Sequence, residues 1–143
     1  MEIKDLEVDQ GCTFEWLILV QDINGNPLDM TNYTGGTAGV RCAIKKRATD
    51  PLSVVPISLS ILNNTGLIAA KNSGRCHLTT AEFAALEPDL SGKCYVLMVI
   101  EATNTANKPT GAFLYDMEIE DNTGYVFKPY RGTFTFKNKE MTT

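Results

Sequence analysis

Histidine is almost absent from this chain: His77 is the only one among 143 residues. That excludes a multi-histidine metal site and most catalytic triads. The four cysteines, Cys12, Cys42, Cys76 and Cys94, lie far apart, with no C-x-x-C pair for zinc or redox chemistry. Cys42 and Cys94 sit among alternating apolar residues and read as small buried hydrophobes, with a disulfide as the alternative. Basic runs are scarce too. Only Lys45-Lys46-Arg47 qualifies, and thirteen Lys and Arg against seventeen Asp and Glu leave a net charge of -4. Nucleic acid needs a basic patch to neutralise phosphate, so it is not an expected partner. The longest apolar runs, such as Tyr95 to Ile100, are too short to span a bilayer. The opening MEIKDLEVDQ is charged and has no apolar core of a signal peptide, which predicts synthesis in a reducing cytoplasm. In that setting the N-x-T sequons at Asn32 and Asn63 carry no meaning.

What is present is strand periodicity. From Phe113 to Ile119 every second residue is large and apolar, while Asp116, Glu118 and Glu120 point the other way. Asp121-Asn122-Thr123-Gly124 supplies a turn, Tyr125 to Phe127 resumes a strand, and Pro129 is expected to interrupt it before Thr133 to Phe136 closes the meander. Near the start, Cys12 to Ile23 forms the most hydrophobic strand, with Phe14, Trp16, Ile18 and Val20 on one face and Leu17 and Leu19 on the other. Asn24-Gly25 is a strong hairpin signal, and Asn26-Pro27 reinforces it.

Between these ends the units are shorter. Leu28 to Gly36 reads as a connecting loop with Tyr33 as an anchor and Gly35-Gly36 as a hinge. Val40, Cys42 and Ile44 mark a half-exposed strand, and Ile57, Leu59 and Ile61 another. Asn63-Asn64-Thr65-Gly66 reads as a turn, with Leu67 to Ala70 and Arg75 to Leu78 as short strands. Thr79 and Glu82 form a capping box that predicts a helix over residues 80 to 87, stopped by Pro88. Cys94 to Ala102 is a strand, and Asn104 to Gly111 an exposed loop. The sum is a single domain over residues 1 to 143: an all-β, antiparallel sandwich of about 7 to 9 strands with one short helix near residues 80 to 87. Trp16 precedes both Cys42 and Cys94, so the antibody order of Cys, Trp and Cys is not met.

Chemistry is hard to find in this pattern. His77 beside Cys76 reads as a structural histidine, and Asp116, Glu118 and Glu120 read as a solvated strand face rather than a catalytic pair. Asp22 to Asn26 resembles a calcium loop but lacks the downstream Glu of an EF-hand, and reads as a hairpin. No cofactor, metal or catalytic residue is expected. Tyr125, Phe127 and Tyr130 cluster near the final turn, where aromatics could stack on a sugar ring, a weaker reading because the single Trp is placed inside. Leu17 and Leu19 add bulky apolar surface to a second face of their strand. Leu17, Leu19, Tyr125, Phe127 and Tyr130 are therefore the candidate partner interface.

The order of the pieces carries a resemblance. Gly11 leads to an apolar strand, then Asp22-Ile-Asn-Gly-Asn-Pro-Leu-Asp29; Cys76 to Leu86 follows as strand and capped helix. The ending runs Tyr115 to Asp121, Thr123-Gly124, Val126, Tyr130-Arg-Gly132 and Phe134-Thr135. This resembles the small immunoglobulin-like β-sandwich virion proteins of tailed bacteriophages, including the N-terminal domain of baseplate upper proteins. The resemblance spans nearly the whole chain, though the loop from Asn104 to Thr110 is longer than the usual hairpin. It implies an immunoglobulin-like topology and a non-enzymatic structural protein of a tail, baseplate or neck. Such a protein docks other virion proteins and forms a symmetric homo-oligomer, away from membranes and nucleic acid. It would be made in the host cytoplasm and reside in the virion. A capsid decoration protein and a carbohydrate-binding module are the alternatives.

Overall fold

A computed structural model of the chain describes residues 2–22, 24–30, 39–47, 49–74, 92–120 and 124–138. Eight strands occur in the described residues: β1 (Glu2–Ile3), β2 (Leu6–Asp9), β3 (Phe14–Leu19), β4 (Val40–Lys45), β5 (Ser58–Leu62), β6 (Tyr95–Ile100), β7 (Gly111–Glu120) and β8 (Val126–Lys137). Helix α1 (Asn64–Asn72) follows β5, and the short α2 (Ala102–Thr105) follows β6. One sheet has the order β1-β8-β7-β4, with β2 also on β8; the other has the order β3-β6-β5. The fold is the expected all-β sandwich. The series β8-β7-β4 facing β3-β6-β5 is the immunoglobulin-like arrangement. Its leading segments, β1 and β2, run parallel to the last strand, so among the described residues β3 is left at the edge of its sheet.

The core follows from the period of two. Tyr115, Met117 and Ile119 are buried on β7, and they face Ile18 and Val20 from the β3 side and Val96, Met98 and Ile100 from β6. Phe134 and Phe136 complete the layer; Phe14 meets Phe134 edge to face at 4.9 Å, and Phe113 meets Phe136 at 5.4 Å. On the opposite face of β7, Arg41 on β4 lies directly across from Glu118, bonds it through Nε at 2.9 Å and approaches Glu120 at 3.5 Å. Lys128 Nζ reaches Asp116 at 3.0 Å. The three carboxylates are thus a solvated face neutralised by cations on flanking strands, each pair contributing at most about 1 kcal/mol.

β1 and β2 are separated by a kink at Lys4-Asp5 that fits against Gly132. The Asp5 carboxylate accepts from both the amide and the hydroxyl of Thr133, and the Tyr115 hydroxyl donates to the Lys4 carbonyl. A Cβ at Gly132 would overlap that carbonyl oxygen. Only glycine allows this close approach.

Several elements differ from expectation. Leu67 to Ala70 is not a strand but part of α1, and the Asn63 side chain accepts from Gly66 N at 2.7 Å, capping a helix instead of closing a turn. Asn104 to Gly111 is not wholly an exposed loop. Thr105 ends α2 and is fully buried, its hydroxyl donating to Cys12 O at 2.8 Å and accepting from Gly11 N at 3.1 Å. Pro129 does not break its strand: β8 runs through it with a bulge, where the register slips between Met117↔Tyr130 and Ile119↔Phe127. The early strand is shorter than Cys12 to Ile23, since Val20 already leads into the hairpin closed by the Gln21↔Pro27 bridge. Gly25 turns that hairpin at φ 83°. The expected helix over 80 to 87, the strand Arg75 to Leu78, His77, Cys76 and the Tyr33 loop lie outside the described residues. No helix among the described residues is long and apolar enough to cross a membrane.

Candidate functional site

The two sheets are unequal, and their mismatch opens one flank. β1 extends the larger sheet beyond β8, but nothing in the described residues extends the smaller sheet beyond β3. A cleft of about 750 Å³ lies there, between the end of β3 and the first half of β8. Its floor is core: Ile18, Val20 and Ile119, all buried. Leu19 and Leu28 form one lip, and Tyr125, Phe127 and Tyr130 form the opposite wall. Glu2, Asp22 and Lys128 supply the charged rim.

The wall is built by the start of β8 and its bulge. Tyr125 is 60% exposed and stacks on Phe127, with ring centroids 6.0 Å apart and planes inclined by 28°. The bulge at Lys128-Pro129 resets the register so that Tyr130 swings toward β3, where it meets Trp16 edge to face at 4.9 Å. Lys4 Nζ sits 5.7 Å from the Trp16 ring. Burial, and next the charge of Glu2, raise the Tyr130 phenol above its ordinary range. Lys128 is held by Asp116, and Asp22 Oδ1 accepts from Asn24 N and Asn26 N within its own hairpin.

Four of the five residues expected at an interface therefore line one cleft: Leu19, Tyr125, Phe127 and Tyr130. Leu17 does not. It is half-buried opposite Leu97 on the outer face of the smaller sheet, where Tyr95 and Leu97 are buried and Leu67 of α1 is fully buried. The chain thus builds a second apolar layer outside its own sandwich, and Leu17 stands at its margin. Sequence periodicity did not single out Glu2, nor the floor residues, whose alternation is that of any core strand.

Set against known families and curated proteins, the chain matches no family model and no curated protein.

Aromatic side chains wall the cleft above an apolar floor, with charges at its rim. Among the described residues no group of three or more His, Cys, Asp and Glu is placed to hold a metal ion. Cys12, Cys42 and Cys94 are free thiols. Burial, and then the charge of Asp116, push the Cys42 thiol up to about 12, and burial with Asp29 raises Cys94. Thiols held protonated in this way are poor nucleophiles.

Proposed function

We propose that the chain is a non-enzymatic docking module whose contact surface is the flank cleft. One observation carries this reading: the stacked Tyr125–Phe127 pair and Tyr130 line, with Leu19, one open cleft over an apolar floor. Aromatic anchors at the centre with charges at the rim are the anatomy of a protein–protein contact. The resemblance to small sandwich proteins of tailed-phage virions supports the more specific proposal of a tail, baseplate or neck component in a symmetric assembly, with capsid decoration as the variant within that class. The experiment is recovery of the chain in purified phage particles, with genes for portal, tail tube or baseplate beside its own. A double variant Tyr125→Ser, Phe127→Ser is expected to fold and to be missing from particles. Particles that lack the wild-type chain overturn the virion assignment.

The exposure of the Tyr125 ring also favours a second reading, a platform for a pyranose ring. A glycan array distinguishes the two: selective binding abolished by Tyr125→Ala would make the module a carbohydrate binder.

A further inference from the structure

The edge of β3, unpaired among the described residues, and the cleft beside it belong to one feature. Val20 N donates to Cys94 O across the β3–β6 pair. In an antiparallel ladder the hydrogen-bonding residues alternate. Trp16 and Ile18 thus share the bonded phase of Val20, and the backbone N–H and C=O of Leu17 and Leu19 turn away from β6. No backbone bond from another described residue reaches them. Proteins blunt such edges with Lys, Pro, bulges or a covering loop. Phe14–Leu19 has no Lys and no Pro, carries Glu15 as its one charge, and pairs with β6 in unbroken register.

Resting on the docking-module reading, we infer that the flank is a strand-addition site: an extended segment of another protein pairs its backbone with Leu17 and Leu19 and becomes the next strand of the smaller sheet. Alternate side chains of that segment enter the cleft above Ile18, Val20 and Ile119, and the intervening ones lie beside Leu17 and Leu19. Charge selects the partner further. Glu2 on the rim has no cation paired with it among the described residues, whereas Lys128 is already held by Asp116. The chain as a whole is at -4. The occupant is therefore a segment apolar at every second position and basic at its ends.

The probe is a synthetic peptide, Lys-Thr-Val-Thr-Val-Thr-Val-Lys, blocked at both termini, added to the isotopically labelled full chain. Free protein is expected to exchange the Leu17 and Leu19 amides fast and the Trp16 and Ile18 amides slowly. Peptide should then protect Leu17 and Leu19. Replacing both peptide lysines by Glu is expected to weaken binding about tenfold, since a rim charge now repels. Leu17→Pro removes an amide that β6 does not use and should abolish binding while the protein stays folded; if that variant unfolds, Leu17→Lys with Leu19→Lys is the replacement, read the same way. Peptide that shifts Tyr125 and Phe127 resonances without protecting Leu17 and Leu19 overturns strand addition and leaves docking intact. So does peptide that fails to bind at all, because docking is judged separately by recovery in particles. Concentration-dependent protection of these amides in the free protein would show that a second copy fills the edge, which also overturns the proposal.

Discussion

The rings of Trp16 and Tyr130 meet edge to face with centroids 4.9 Å apart and planes at 67°, one from each sheet. Trp16 also meets Tyr115 at 6.2 Å. This trio holds the sheets together at the flank where no further strand among the described residues joins them. Trp16→Ala is expected to destabilise the fold by about 3 kcal/mol, the lower end for a large aromatic because Trp16 is only half-buried. Tyr130→Phe keeps the ring and should cost under about 1 kcal/mol. Urea unfolding followed by circular dichroism checks both. Equal losses in the two variants would mean that the ring contact is not what secures the flank.

Gly132 is the second fixed point. With the Lys4 carbonyl and the Asp5 carboxylate against its Cα, Gly132→Ala must push the β1–β2 kink off β8. The expected loss is about 1–3 kcal/mol, typical of overpacking. The Lys4 amide, which donates to Arg131 O at 2.8 Å, should become one of the faster-exchanging amides of the larger sheet. Unchanged protection of Lys4 would show that the kink yields without detaching.

The alkaline limb of stability follows from buried thiol and phenol groups. Burial raises Cys42 from 9.0 to about 12, with Asp116 adding to it, and burial raises Tyr115 and Tyr130 above 10.0. A group that holds its proton more tightly folded than unfolded lends stability that is complete below its unfolded value and lost as pH climbs toward its folded one. The urea midpoint should therefore fall steadily from about pH 9 upward. Cys42→Ala lowers the midpoint at neutral pH but should flatten the fall between pH 9 and 12. A slope identical to wild type would remove Cys42 from this account.

Helix α1 shows where a sequence is ambiguous. Asn63 to Gly66 uses residues suited equally to a turn and to a helix start, and Leu67 to Ala70 has no period to decide between them. Packing decides: Leu67 is fully buried, while Ile68 is 49% exposed. By contrast β7 was legible because its apolar residues alternate with three carboxylates over a long run. The aromatic wall of the cleft was legible as a cluster near a turn. The edge position of β3 was not, because strand order is set by pairing partners far away in the chain. The period of two puts Leu17 and Leu19 on one face of the strand, although only Leu19, at its end, reaches the cleft. Asn63→Ala tests the helix itself, with an expected loss of about 1 kcal/mol. A variant as stable as wild type would mean that α1 stands on packing alone.

Leu17 and Leu19 can be tested together. Two explanations fit bulky apolar residues on both faces of β3: coverage by the chain's own segments, or coverage by a partner. The structure gives the first explanation real weight, since Tyr95 and Leu97, the residues opposite Leu19 and Leu17, are buried within the chain. Yet both leucines remain partly exposed. Full burial of a leucine contributes roughly 1.5–3 kcal/mol, so each already contributes most of that in the isolated chain and has the smaller share left to gain from a partner. Leu17→Ser with Leu19→Ser is accordingly expected to lower stability by about 3 kcal/mol without unfolding the protein, and to prevent its incorporation into particles. Melting temperature and particle content are the two measurements. Outright unfolding would assign both leucines to the chain's own core, and normal incorporation of a folded variant would move the contact away from β3 altogether.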